Sequence, residues 1–189
     1  MAQLARLKNI QAVNLALIGA RGAGKSKLSR KLSKRIGWPL LSLDQLISYE
    51  CEGRSITAIV EDLGWRGFRD IEYAVLRKVC AMQSVVIDCG GGILVEAPVD
   101  EGEPELFSRR KAELLKRSAQ VIYVQRDWDW MMLKSGLDPN RPDLGGNYRA
   151  LLERRLPWYK DAADFLLDMQ GDSAVNTAVD TIAAELFQA

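Results

Sequence analysis

The 189-residue chain contains no histidine. A Ser-His-Asp triad, a histidine general base and a His-ligated zinc centre are therefore excluded. Cysteine is scarce: Cys51, Cys80 and Cys89 are odd in number and stand at no metal-ligand spacing. Neither a disulfide framework nor a zinc ribbon is expected, and the chain reads as one kept reduced in the cytoplasm. No apolar run approaches the roughly 18 residues of a membrane span, and no secretory leader is expected at the start. Acidic residues are missing from the first 43 positions, which hold nine Lys and Arg. An acid-free start can mark a mitochondrial presequence, but a strand pattern begins at Val13 and argues against one. A basic first lobe suits a polyanion such as a nucleotide polyphosphate; the plainer alternative is a solvated helix face.

What is present has the balance of an ordinary globular domain. Apolar residues make up 48%, charged residues 27%, and the net charge is +1. No nucleic-acid or membrane partner is expected, and a monomer is. At this length one domain covering residues 1–189 is the default, with its core over 13–189. Five short apolar runs read as strands: Val13 to Ile18, Trp38 to Leu43, Ser84 to Asp88, Val121 to Val124 and Phe165 to Asp168. Between them lie helical patterns. Lys25 to Ile36 stops at Gly37, Asp44 to about Cys51 stops before Gly53, and Ser55 caps a helix to Leu63. Beyond Gly64, Phe68 to Met82 is a longer helix, and Glu105 to Lys116 another. Asp127 caps a helix to about Ser135, Tyr148 to Leu156 ends at Pro157, and Ser173 to Phe187 closes the chain. Strands alternating with helices predict an α/β fold with a five-stranded parallel sheet flanked by helices. Residues 136–147, rich in Gly, Pro, Asn and Asp, read as a lid loop.

Gly19-Ala20-Arg21-Gly22-Ala23-Gly24-Lys25-Ser26 fits the phosphate-loop pattern G-x-x-x-x-G-K-[ST], and it lies between a predicted strand and a predicted helix, as that motif requires. Its glycines let backbone N–H groups of Gly22, Ala23 and Gly24 turn toward phosphate oxygens, and the helix start adds positive potential. Lys25 brings charge to the β and γ phosphates, Ser26 is placed to ligate Mg²⁺, and Lys27 adds a further cation. ATP and Mg²⁺ are the implied cofactors.

Further motifs follow in order: LSLDQLI with Asp44, GWRGFRDIE with Arg69, CGGGI with Gly90, Gly91 and Gly92, NRPDL with Arg141, and RRLPWY with Arg155. Together with the phosphate loop they resemble the shikimate kinase family, small enzymes of the nucleoside-monophosphate-kinase fold, over residues 13–170. The resemblance implies transfer of a phosphoryl group from ATP to the 3-hydroxyl of shikimate. It implies that Asp44 hydrogen-bonds the reacting hydroxyl and that Arg69 and Arg155 bind the substrate carboxylate. It further implies that Gly90 to Gly92 form the substrate loop and that Arg141 closes over the phosphates. The residue types suit these roles. Arginine meets a carboxylate with a planar fork, glycine permits close approach, and a carboxylate past a strand end can orient a hydroxyl. The plainer readings are an Arg69–Glu72 pair on a helix surface, a helix-capping Arg155, Asp44 as an N-cap, and a simple turn at the glycines.

The chain also departs from the family pattern. Ser42 stands where the family has a metal-associated aspartate, Trp65 where it has Glu, and Lys134 where an arginine lies near adenine. The phosphate loop ends GKSK rather than GKST, and the acidic loop over 96–104 is longer. The third strand ends in Asp88, the form of a strand whose carboxylate holds a metal shell, so Asp88 and Ser26 are the predicted metal residues. Asp88 as a cap of the Gly90 turn is the alternative. A kinase of another small hydroxy acid, and a non-catalytic ligand sensor, remain as rival functions.

Overall fold

The computed structural model describes residues 14–100, 102–135, 148–170 and 174–187. Strands β1 (Asn14–Ile18), β2 (Leu40–Ser42), β3 (Val86–Asp88), β6 (Ala119–Arg126) and β7 (Phe165–Met169) form one sheet in the order β2-β3-β1-β6-β7. Every pairing in it is parallel. The five predicted strands are all present, and the first and third lie side by side.

Both faces of this sheet are covered, which is why β1 is apolar at nearly every position. Leu15 and Leu17 pack with Leu28 and Leu32 of α1 (Lys25–Ile36) and with Val175, Val179 and Ile182 of α7 (Ala174–Phe187). Ala16 and Ile18 face the opposite way. They join the core of α2 (Leu43–Glu50), α3 (Ile56–Cys80), α4 (Arg109–Ser118) and α6 (Tyr148–Ala162). Helix α5 (Trp128–Ser135) follows β6, with the Trp130 amide donating to Asp127 Oδ1 at 2.8 Å as the predicted cap requires. Among the described residues no helix is long and apolar enough to cross a membrane.

Three boundaries differ from expectation. The two helices predicted around Gly64 run on as α3 with a break at Gly64 (φ 66°, ψ 173°), so the interruption is real but short. The helix expected from Glu105 starts at Arg109, capped by Ser108. The residues before it form β5 (Leu106–Phe107), paired antiparallel with β4 (Val95–Glu96). Pro157 does not end α6, which continues to Ala162. Proline removes one N–H from the helix ladder, but Pro157 and Glu153 both lie on the exposed side, where water can serve the freed carbonyl.

Gly19 shows how tightly the sheet's upper edge is built. Its φ is +141°, and a Cβ there would lie 2.5 Å from the Val124 carbonyl oxygen. Gly19→Ala is expected to destabilise the protein by about 3 kcal/mol or more, from backbone strain and overpacking together. Chemical denaturation of the two proteins checks this; a loss under about 1 kcal/mol would show that the loop relaxes freely.

Candidate active site

The phosphate loop leaves the C-terminal end of β1, the edge where open α/β sheets bind ligands. Gly22 and Gly24 hold φ of +83° and +94°, and Gly24 caps α1. Such left-handed turns aim successive amides inward. Ala23 is buried, while Ser26 and Lys27 are exposed at the start of α1. Lys25 is buried, and its Nζ donates to the Ala20 carbonyl at 2.8 Å. The loop's own carbonyl thus holds the ammonium in place.

Asp44 sits in the first turn of α2, with Ser42 before it at the N-cap. The reading of Asp44 as the cap is therefore corrected. A Cβ on Gly90 would lie 2.9 Å from Asp44 Oδ1, so the absence of a side chain at position 90 lets the carboxylate reach the glycine run. Gly92 makes the same allowance for an arginine: a Cβ there would fall 2.4 Å from Arg69 Nη2.

Arg69 is buried, and its Nη1 donates to both Glu72 oxygens at 3.1 and 3.0 Å. The Arg69–Glu72 pair weighed from the sequence exists, but inside the protein rather than on a helix surface. The guanidinium lies 5.1 Å from the ring centroids of both Trp65 and Phe68. Its Nε is buried without a hydrogen-bond partner. Glu72 also receives Lys111 Nζ at 2.7 Å, and Lys111, fully buried, donates again to the Val95 carbonyl at 2.6 Å. Burial pulls the Lys111 pKa below its ordinary value, and the adjacent Glu72 carboxylate partly offsets that. Two cations on one carboxylate leave a surplus positive charge beneath the cleft, which favours an anionic ligand.

Arg155 is buried on α6. Its Nε and Nη2 donate to Glu105 Oε1 and Oε2 at 2.6 and 2.5 Å, and its Nη1 to the Gly91 carbonyl at 3.3 Å. Burial lowers its pKa, but the bonds to Glu105 outweigh that and the net shift is upward. Its role is not that of a helix cap. The Tyr159 hydroxyl, one turn on, also donates to Gly91, and the Tyr148 hydroxyl donates to the Arg21 carbonyl at 2.9 Å. One helix therefore holds both the phosphate loop and the glycine run.

Arg21, Asp44, Phe68, Arg69, the three glycines and Arg155 converge on an inner cleft of about 50 Å³. Trp65, Arg69 and Arg155 also border an outer cavity of about 350 Å³, closed on its far side by Pro98, Glu103 and Glu105. Glu72, Lys111, Glu105, Tyr148 and Tyr159 were not among the expected site residues. Arg141 and the segment 136–147 lie outside the described residues, as does the side chain of Lys134.

Asp88 ends β3 in register with Leu17 of β1 and Ser42 of β2. Two residues earlier Val86 packs with the α1-side core, so Asp88 is directed to the face where α1 begins with Lys25 and Ser26. Its Oδ1 is buried with no hydrogen-bond partner. An orphaned carboxylate oxygen suits a hydrated divalent cation. Cys89 beside it is buried, and burial pushes its thiol pKa well up, which disfavours the thiolate.

A strand, phosphate loop and helix opening a parallel sheet, with a carboxylate and two arginines facing that loop, define a phosphate-loop phosphotransferase acting on a small acid. The family model for shikimate kinase matches residues 21–188. Shikimate kinase from Leptospira biflexa is 43% identical over 83% of this chain and 87% of its own length. That from Leptospira borgpetersenii is 41% identical over 82% and 88%. The solved structure of Acinetobacter baumannii shikimate kinase in complex with shikimate superposes with a TM-score of 0.79 at 26% identity, covering 95% of each chain. The chain belongs to the shikimate kinase family. It is an ATP-dependent phosphotransferase with a hydroxyl acceptor, and Mg²⁺ is its usual divalent ion.

Proposed function

We propose that this enzyme phosphorylates the 3-hydroxyl of shikimate, yielding shikimate 3-phosphate and ADP. The observation that carries the reading is the convergence of Arg69, Arg155 and Asp44 on the glycine run opposite the phosphate loop. The acceptor oxygen forms a bond to the γ-phosphorus as the bond from that phosphorus to the β–γ bridging oxygen breaks. Asp44 orients the hydroxyl and receives its proton. Lys25 and the loop amides hold the phosphates, and Arg141, on a lid over about 136–147, neutralises charge on the transferring group. Ser26 and Asp88 would hold Mg²⁺, which when bound would offset phosphate charge. Lys27 and Lys134 complete the nucleotide site. We extend the reading to a single kinase domain acting as a cytoplasmic monomer.

ADP release over a panel of shikimate, quinate, gluconate and a nucleoside monophosphate tests this. Turnover is expected with shikimate foremost. Binding of nucleotide and acid without ADP release would identify a sensor instead.

The metal assignment has its own check. Asp88 and Ser42 are register partners, so a carboxylate moved from one to the other stays on the same face at the same height. Asp88→Ala is expected to raise the Mg²⁺ needed for half-maximal rate about tenfold or more, and Ser42→Asp added to it to restore part of that loss. An unchanged Mg²⁺ curve in Asp88→Ala removes Asp88 from the metal shell.

A further inference from the structure

Arg155 touches two different spaces. Its Nη1 points to Gly91, which lines the inner cleft, while its Nε and Nη2 edge is held by Glu105, which lines only the outer cavity. A guanidinium has more than one edge able to take a carboxylate. The Nε and Nη2 edge is taken from behind by Glu105, and the Nη1 end, which also donates to the Gly91 carbonyl, is turned toward the cleft. Arg69 is built alike, with Glu72 on one amino group and the other against Gly92.

Glu105 is itself firmly placed. It directly precedes β5, whose Leu106 pairs with Glu96. Glu96 accepts from Ser108 Oγ at 2.5 Å and from Arg110 Nε and Nη2 at 2.7 and 2.9 Å. Arg110 Nη2 also reaches Asp70 Oδ1 at 2.8 Å, one residue past Arg69. The longer acidic loop is therefore pinned at its far end, and Glu105 emerges from the pinned end.

We infer that Glu105 is a positioning residue for the acceptor: it aims Arg155 so that the Nη1 end of the guanidinium, beside the glycine run, reads the substrate carboxylate. This rests on the carboxylate-reading role proposed for Arg155. A long arginine left without that backing would sample several rotamers, and ordering one would fall to the substrate. The extended loop thus contributes to acceptor recognition without touching the acceptor.

The test compares Glu105→Ala, Glu105→Gln and Arg155→Ala with the wild type, using shikimate and its methyl ester as acceptors. Glu105→Ala is expected to raise the shikimate KM about tenfold or more, to move the ester KM far less and to leave the ATP KM nearly unchanged. Glu105→Gln keeps an accepting oxygen in place and is expected to recover much of the loss. In an Arg155→Ala background, Glu105→Ala should add little. A general loosening of the fold would instead raise all three KM values together, and that result overturns the inference. A fall in shikimate KM on removing Glu105 also overturns it, because the carboxylate would then be a competitor for Arg155. Wild-type turnover of shikimate with an unmoved KM in Glu105→Ala removes this inference alone. No wild-type turnover of shikimate removes the proposed activity and this inference with it.

Discussion

Lys25→Ala is expected to lower kcat by roughly a thousandfold or more while the protein still folds. The ammonium is buried and already pointed by the Ala20 carbonyl, so in the proposed mechanism it would reach the phosphates with little reorganisation. Such a preplaced charge contributes most where charge grows during the reaction. Its loss should appear mainly in kcat, with ATP binding weakened less because the loop amides remain. The stability cost is about 1 kcal/mol, that of one hydrogen bond to the loop. A coupled ADP-release assay with a thermal melt on the same sample checks both. A folded Lys25→Ala enzyme with normal kcat would end the phosphotransfer mechanism as drawn.

Removing either arginine proposed to read the acceptor carboxylate, Arg69 or Arg155, should have the next largest effect. Truncating one partner of a buried, charge-assisted contact costs about 2–5 kcal/mol, which corresponds to a rise in shikimate KM of about thirtyfold to several thousandfold. The ATP KM should move little, since neither residue is in the phosphate loop. The two variants are not equivalent in stability. Arg155→Ala leaves Glu105 near the surface, 14% exposed, where water can solvate it. Arg69→Ala leaves Glu72, 2% exposed, with Lys111 as its remaining ion-pair partner among the described residues. Arg69→Ala should therefore also lose stability, by about 3 kcal/mol, and Arg155→Ala gives the cleaner kinetic test. Equal turnover of shikimate and its methyl ester by the wild type would show that no carboxylate is read.

Residues whose role is set by local sequence were legible before the fold. The phosphate loop is a contiguous backbone device, and the strand before it and the helix after it follow from periodicity alone. Arg69, Gly90 to Gly92 and Arg155 were found through motif order, and the fold brings them to one cleft. Glu105 was missed for a physical reason. It was read as the first turn of a helix, because two-residue strands such as β4 and β5 are too short to show alternation. Its partner lies 50 residues away, and no local pattern encodes that pairing. Pro157 is accommodated in α6 because the carbonyl it frees lies on the exposed face, where water can serve it. Lys111 did leave a signal. It stands four residues before Leu115 and beside Ala112, on the apolar stripe of α4 rather than its polar face. A lysine in that position calls for a buried anion, and Glu72 is that anion.

The trio of Arg69, Glu72 and Lys111 ties α3, α4 and the β4 carbonyl at Val95 through charge rather than through apolar contact. Its consequence is for heredity. Breaking a buried ion pair on one side costs about 3–5 kcal/mol, a large part of the stability of a protein this size. A substitution at one of these three positions alone is therefore expected to cost more stability than one on a helix surface. Exchange of Lys111 alone passes through a crippled intermediate, even when the final arrangement would be sound. Replacing the three together by apolar residues of similar volume is the route expected to spare stability.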